Sequence, residues 1–361
     1  MGAPSISINF IEQAQTATKR GTRGTIAMIL VDSAEASYTI GSVTDIPAAL
    51  KEENQLQIKL AMLGYITAPK KIYVQTIKTA DDYTKALAAL ARLRWNYLVY
   101  PSVETDGKTQ DVAAWIKEQR EKHHASYKAV LPNIPSDYEG IVNVTNGCTY
   151  PGGVKLTPEK MCARAAGIIC GTPLTMSCSY APLPEMTDCD RMTEEDLNTA
   201  VESGKFVFFW DGEKVKVCRG VNSLTTTSAT KGDSFKKIKL VDAMDMIRDD
   251  ITITAQDNYI GKYANNYDNK LLLLTAMNTY FSTLASETVI ESGSCEIDID
   301  ANVKYYKEHG GKLFVNGQQV TVEDATETQL KQGQTGSYVF LKAKVALVDA
   351  IEDIVLDIYV M

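Results

Sequence analysis

Hydrophobic and polar positions alternate strictly over Ser5-Ile6-Ser7-Ile8-Asn9-Phe10, which puts Ile6, Ile8 and Phe10 on one face of a half-buried strand. From Glu12 to Gly24 the period is lost, and Lys19, Arg20 and Arg23 stand among Gly21 and Gly24 as in a linker. A strand on a tether is an arm. From Thr25 onward apolar runs alternate with helical patterns: strands at 26–31, 71–77, 97–100 and 128–131, helices at 47–65, 81–94 and 110–123. Parallel neighbours need crossover connections, so this order predicts a mainly parallel α/β sheet with helices on its faces. Thr79 and Thr109 are expected as N-caps, and Thr157-Pro158 sets proline at a first helical position.

Thr193 with Asp196 forms a capping-box pattern before a helix at 194–203, with Gly204 placed to end it. Residues 206–210, Asp211-Gly212 and 213–217 read as a hairpin, and 222–234, rich in Thr, Ser, Gly and Asn, as a boundary. Two helices follow at 237–260, with a break near 251–254, and at 269–285. Leu313 to Val315, Asn316-Gly317 and Gln318 to Val322 carry the strongest hairpin signal in the chain. Val339, Leu341, Val345 and Leu347 then share a strand face opposite Lys342 and Lys344. A last strand sets Ile354, Leu356, Ile358 and Val360 against Asp353, Asp357 and Tyr359. The expected organisation is therefore an N-terminal arm and linker (1–24), an α/β domain (25–222), an inner α+β assembly domain of helices and a hairpin (223–342) and a C-terminal arm strand (343–361).

The 361 residues, 45% hydrophobic and 23% charged, are enough for two to three globular domains. A net charge of -8 is the wrong sign for gripping a nucleic-acid backbone. No apolar run nears the ~18 residues that span a bilayer. Met1 to Ile6 lacks a basic and an apolar targeting region, and Ile6 stands where a myristoylation signal has Ser or Thr. Seven cysteines without a C-x-x-C support neither a disulfide framework nor a zinc ribbon. A soluble chain folding in a reducing cytoplasm is expected.

Catalytic patterns are weak. Gly107-Lys108-Thr109 lies between strand and helix like a phosphate loop, but Ser102 replaces its first glycine, and Glu104 and Asp106 stand where phosphates would sit. No G-x-G-x-x-G follows a strand, and His123, His124 and His309 have no ligand spacing. Glu296, Asp298 and Asp300 alternate as on one face of a short strand, which suits a hard cation but more simply an edge-protecting acidic face. With no nucleophile elbow either, no catalytic, cofactor or metal site is expected.

The ends carry the functional signal. Residues 1–24 hold three basic residues against Glu12, a net of +2; residues 343–361 hold Lys344 against Asp349, Glu352, Asp353 and Asp357, a net of -3. Complementary ends predict head-to-tail pairing between subunits, which builds rings or open helices. An arm of about 20 residues reaches roughly 66 Å at ~3.3 Å per residue, enough to cross to a neighbour. Frayed termini are the plain alternative.

Several segments resemble the contractile tail sheath proteins of bacteriophages and R-type bacteriocins. Arg219-Gly220-Val221-Asn222-Ser223-Leu224-Thr225 is similar to that family's R-G-I-N-T-L segment and precedes 235–250 as the corresponding segment does. Asn258-Tyr259-Ile260-Gly261-Lys262-Tyr263-Ala264-Asn265 and 269–284 resemble the paired helices that follow, and Arg20, Gly21 and Gly24 leading into 25–31 resemble the start. The resemblance implies a structural, non-enzymatic subunit without cofactors. Its arms add strands to a sheet on adjacent subunits, and six-subunit rings stack helically around an inner tail tube and contract. Its partners would be other copies, the tube, baseplate and tail terminator proteins, with no direct nucleic-acid binding and no membrane insertion. The setting would be a virion tail, serving genome ejection, or a bacteriocin particle assembled in the bacterial cytoplasm. Thr79 and Asp81 lead straight into a helix where larger relatives insert a β-rich domain, so the chain resembles a minimal sheath.

On this reading Ile6, Ile8, Phe10, Ile354, Leu356, Ile358 and Val360 pair between subunits. A basic face at 302–311, with Lys304, Lys307, His309 and the adjoining Lys312, would meet an acidic tube. The competing readings are an α/β enzyme with a C-terminal oligomerisation domain and a non-contractile shell or scaffold.

Overall fold

The computed structural model describes residues 24–315 and 317–360. The expected N-terminal strand, with Ile6, Ile8 and Phe10, lies outside them. The chain forms two compact units, 21–249 with 348–361, and 250–347. The expected boundaries lay at 222/223 and 342/343. The composition shift at 222–234 lies within the first unit, buried at Asn222, Ser223 and Leu224 and on the surface from Thr225, and the second division falls where a strand ends.

In the first unit the strands are β1 (Thr25–Val31), β2 (Ala36–Ile40), β3 (Lys71–Ile77), β4 (Tyr97–Val99), β5 (Lys128–Pro132) and β6 (Ile141–Val144). The helices between them are α1 (Glu52–Met62), α2 (Tyr83–Leu90) and α3 (Thr109–Lys122). Further on come β7 (Cys148–Tyr150), β8 (Val154–Leu156), α4 (Pro158–Cys170), β9 (Asp188–Cys189), α5 (Glu194–Glu202), β10 (Lys205–Phe206), β11 (Phe208–Trp210) and β12 (Val215–Val217). One sheet runs β10-β6-β5-β4-β1-β3-β2, parallel throughout except for β2. Both faces are covered, which explains the apolar runs. Ile26, Met28, Leu30 and Val74 pack with Ile58 of α1 and Met161 and Ala165 of α4. Ala27, Ile29, Leu98 and Leu131 pack on the other side with Leu87 and Leu90 of α2 and Val112 and Ile116 of α3. A β-carbon at Gly167 would stand 2.3 Å from the Ala61 carbonyl oxygen, so glycine sets how closely α4 crosses α1.

Several details differ from expectation. Thr109 is the first helical residue, with Lys108 at the N-cap, whereas Thr157-Pro158 and the Thr193–Asp196 capping box stand as expected. The hairpin after β11 pairs Trp210 with Val215, so its turn centres on Gly212-Glu213. The Asp211 carboxylate accepts from both Glu213 N (2.9 Å) and Lys214 N (2.8 Å), which moves the turn by one residue. Trp95, Tyr127 and Trp115 form a cluster of nearly parallel rings, with Trp95 and Tyr127 centroids 3.9 Å apart and Trp115 6.1–6.3 Å from both.

The next helix, α6 (Ile238–Thr254), begins in the first unit and ends in five residues of π-helix at Ala255–Tyr259, just after the break expected at 251–254. Its first half is fastened to the sheet by buried charge. Arg120 donates two hydrogen bonds to the Asp245 carboxylate (2.9 and 3.0 Å), and Lys128 Nζ reaches Asp245 at 2.6 Å and Asp242 at 3.3 Å. The Tyr97 hydroxyl donates to Asp242 and the Ser126 hydroxyl to Asp249. Burial alone would raise the Asp245 pKa; the Lys128 and Arg120 charges outweigh it and hold the carboxyl below its usual range.

The second unit contains α7 (Tyr267–Ser286), β13 (Ile290–Ile297), α8 (Ile299–Glu308), β14 (Lys312–Val315), β15 (Gln318–Thr321), α9 (Glu327–Gln332) and β16 (Leu341–Leu347). β13 and β16 pair antiparallel, and Phe281 of α7 lies against Gly293 of β13. β14 and β15 pair Val315 with Gln318, the register expected of this hairpin, with Asn316 itself outside the described residues. Its Leu313 and Val315 form a small core with Tyr306 and Val322.

Candidate assembly surface

After β16 the chain turns onto the first unit, and its next residues are tied down. Lys239 Nζ donates to the Val348 carbonyl, Lys237 pairs with Asp349, and the far nitrogen of Arg219 pairs with Asp353. The Glu352 carboxylate, 8% exposed, accepts from Ser177 Oγ (2.9 Å) and Ser179 Oγ (2.5 Å) and faces Arg219 Nε (3.2 Å) and Lys237 Nζ (3.4 Å). Beyond Asp353 this stops. Ile354, Leu356, Ile358 and Val360 are 82, 74, 77 and 93% exposed, and Val355 and Tyr359 on the alternate face 93 and 87%. Residues 354–360 join no ladder among the described residues, so the strand pattern is present with neither face covered.

This corrects the charge argument. Asp349, Glu352 and Asp353 are paired within their own subunit with Lys237 and Arg219, which leaves Asp357 as the one acid of 354–360. Apolar side chains and unpaired backbone, not a run of negative charge, are what this arm offers a neighbour.

Burial opposes ionisation of Glu352, but hydrogen bonds from Ser179 and Ser177 and the charges of Lys237 and Arg219 outweigh it and hold the carboxyl below its usual range. Asp349, opposed likewise by burial, is held low by Lys237. A depressed folded-state pKa stabilises docking above the free carboxyl's pKa, and that contribution is lost as pH falls through the lowered value. Residues 350–353 should therefore pass from ordered to flexible, read by backbone ¹⁵N relaxation, as pH is taken from 6 towards 3. Unchanged order would show that these carboxylates do not hold the segment.

The receiving surface is the segment that carries the family resemblance. Arg219 binds the docked strap of residues 349–353 through Glu352 and Asp353. A β-carbon at Gly220 would sit 2.9 Å from Cys178 Sγ and 3.1 Å from Ser177 Oγ, and its amide donates to Ser179 Oγ at 2.9 Å. Asn222 donates to the Phe235 carbonyl, and Ser223 Oγ to that of Tyr138. The Asp137 carboxylate accepts from the amides of Thr226 and Thr225, which lower its pKa. These bonds brace the helix-free connection from β5 to β6. Tyr180, next to Ser179, has φ 58°, a left-handed conformation costing a bulky residue about 1–2 kcal/mol. Ser177, Ser179 and Lys237 carry no local signal of this role; Ser177 and Glu352 lie 175 positions apart.

In the second unit, β13 and β16 pair only with each other among the described residues, so each has an open outer edge. Lys304 and Lys307, three apart on α8, and Lys312 at the start of β14 are exposed. His309 stacks on Tyr305 with centroids 4.0 Å apart. Glu296, Asp298 and Asp300 do not share a strand face: Glu296 faces Lys342 at 3.5 Å, Asp298 caps α8 by accepting from Ala301 N, and Asp300 is in that helix's first turn. No group of three His, Cys, Asp or Glu among the described residues is arranged to hold a metal ion. The phosphate-loop pattern is filled from within. The Glu159 carboxylate accepts from the amides of Glu104 (3.1 Å) and Thr105 (3.0 Å) and from the Thr105 hydroxyl, and Lys108 pairs with Asp81.

Comparison with known proteins fits this architecture. The chain matches the phage tail sheath protein central domain over residues 77–223 and the phage tail sheath C-terminal domain over 230–361. It is 34% identical over 359 residues to the tail sheath protein of Clostridium phage phiCD119, covering 98% of each chain. Its fold is similar to a sheath tail protein from Desulfitobacterium hafniense (17% identity, TM-score 0.70, 95% of this chain and 100% of that one). It is also similar to the anti-feeding prophage helical sheath in the contracted state (15% identity, TM-score 0.71, 99% of each). With both domains in order and a relative matched from end to end, the chain belongs to the phage tail sheath family, as a structural subunit.

Proposed function

We propose that copies of this chain stack as six-membered rings around an inner tail tube, linked by their arms, and that the stack shortens to drive the tube through a target envelope. The observation that carries this reading is the C-terminal segment: anchored through Asp353, then open on both faces over an apolar strand pattern. The open edges of β13 and β16 are its natural acceptors, by strand addition from a neighbouring subunit. The N-terminal arm, through Ile6, Ile8 and Phe10, plays the same part. The expected division into arm, α/β domain, inner domain and arm is then a division of labour. Baseplate and terminator proteins would close the stack, which assembles in the bacterial cytoplasm and is carried in a tail or bacteriocin-like particle.

We take the chain to be no enzyme. The amides that could cradle a phosphate hold Glu159 instead. The work of contraction is then stored at assembly, as a free-energy difference between two packed states summed over many subunits. Co-expression with the tube protein, followed by electron microscopy, tests the reading: six-fold rings with a regular helical repeat are expected, and discrete monomers with and without the tube would sink it.

The exposed Lys304, Lys307 and Lys312 suit an acidic tube surface. Reversing Lys304 and Lys307 to Glu should weaken tube association about tenfold, from roughly 0.2–1 kcal/mol per exposed pair lost and like charges gained. Co-sedimentation at two salt concentrations measures this. Equal binding at both would place the contact elsewhere.

A further inference from the structure

We infer that the docking of residues 349–353 in the socket formed by Ser177, Ser179, Arg219 and Lys237 meters the length of the C-terminal arm. The inference rests on the arm-exchange reading above. The socket draws on three separate stretches of chain and brings two hydroxyls, a guanidinium and an ammonium to one carboxylate, that of Glu352. Gly220 leaves no room for a side chain against Ser177 and Cys178, and the turn holding Ser179 continues through the left-handed Tyr180. That is a site shaped around its occupant. With the socket filled, the free arm comprises the eight residues 354–361; with it empty, the fourteen residues 348–361. At ~3.3 Å per residue these lengths reach about 26 and about 46 Å.

Two packed states of a sheath require links that tolerate two spacings, and an extended strand cannot stretch beyond ~3.6 Å per residue. Slack must therefore come from releasing chain. The flanking pairs are only partly shielded, Arg219 and Lys237 being 31 and 32% exposed and Asp353 80%. Such pairs are individually weak, so the segment can leave while the α/β unit stays folded. The acids facing Lys237 and Arg219 here are Asp349, Glu352 and Asp353, and Lys239 holds the Val348 carbonyl.

Backbone ¹⁵N relaxation on the full-length monomer tests the docking. In the wild type, residues 350–353 should have order parameters near the ~0.85 of rigid backbone and 355–360 below ~0.6. In the triple variant Asp349→Ala, Glu352→Ala, Asp353→Ala the two groups should match, with the melting temperature nearly unchanged, because the substitutions fall on the docked segment and leave the socket intact. Equal order parameters in the wild type would overturn the inference. Cryo-electron microscopy of tubes formed on the tube protein tests the metering. Both the triple variant and a three-residue insertion after Asp353, which lengthens the arm with the socket filled, should shift helical rise or twist. Unchanged parameters in both would overturn metering. A wild type that shows an ordered 350–353 but forms no tubes would instead overturn the assembly reading, since the relaxation result stands without it.

Discussion

Cutting the chain after Asp353 should leave a subunit that melts at the wild-type temperature and forms no tubes. Nothing in the folded body depends on the lost residues: Ile354, Leu356, Ile358 and Val360 are at least 74% exposed, and the last fixed carboxylate is that of Asp353. In the assembly the same residues would be buried. Covering four such side chains is worth roughly 6–12 kcal/mol gross at ~1.5–3 kcal/mol each. Ordering seven residues opposes this by a similar amount, about 1–2 kcal/mol per residue. The net gain per arm is then small and comes chiefly from the backbone ladder, at ~0.5–1.5 kcal/mol per hydrogen bond. A few kcal/mol corresponds to about a hundredfold or more in an association constant. Removal of residues 1–20 should act in the same way. Sedimentation and negative-stain microscopy of both truncations, with and without the tube protein, check this, and tubes from either would remove its arm from the argument.

The second large effect is expected at Asp245. Its carboxylate takes both Arg120 nitrogens and Lys128 Nζ, and all three side chains are at most 5% exposed. Asp245→Ala leaves two buried cations with Asp242 as the remaining acid beside Lys128. Breaking one side of a buried network costs about 3–5 kcal/mol, because the desolvated partners lose their compensation. In a unit of this size that should lower the melting temperature by about 10 °C. Lys342→Ala removes an ion pair of similar appearance to Glu296 but on the surface, where side chains are 41 and 59% exposed, and should cost less than about 1 kcal/mol. Calorimetry of the two variants decides the matter; equal melting temperatures would mean that the buried network contributes no more than a surface pair.

Much of this architecture was legible in one sequence. Where a single period governs a segment, as in Ile26, Met28 and Leu30 against Ala27 and Ile29, the layers could be read directly because both faces of a parallel sheet are covered. Asn316-Gly317 gave its hairpin register, since turn chemistry is local. The failures share a cause. β2 is a half-exposed edge strand without a long apolar run, Asp211 shifts its turn through side-chain bonds, and Asp242, Asp245 and Asp249 look like a solvated helix face until Arg120, Lys128 and Ser126 are brought beneath them. The same holds for the arm. Its apolar alternation was visible, but the fate of Asp349, Glu352 and Asp353 depended on Arg219 and Lys237, more than a hundred positions away. The family resemblance likewise marked Arg219-Gly220 without showing that this pair holds the C-terminal strap.

The aromatic cluster of Trp95, Tyr127 and Trp115 has a practical consequence for anyone following this protein by light. All three tryptophans of the chain, Trp95, Trp115 and Trp210, belong to the unit of residues 21–249, two of them in that cluster. Residues 250–347 contain none. Indole emission will therefore report the opening of one unit and stay silent on the other, so a single fluorescence transition would be no evidence that the whole subunit unfolds in one step. A tryptophan introduced at Phe281, on α7 against Gly293, would give the silent unit a signal of its own.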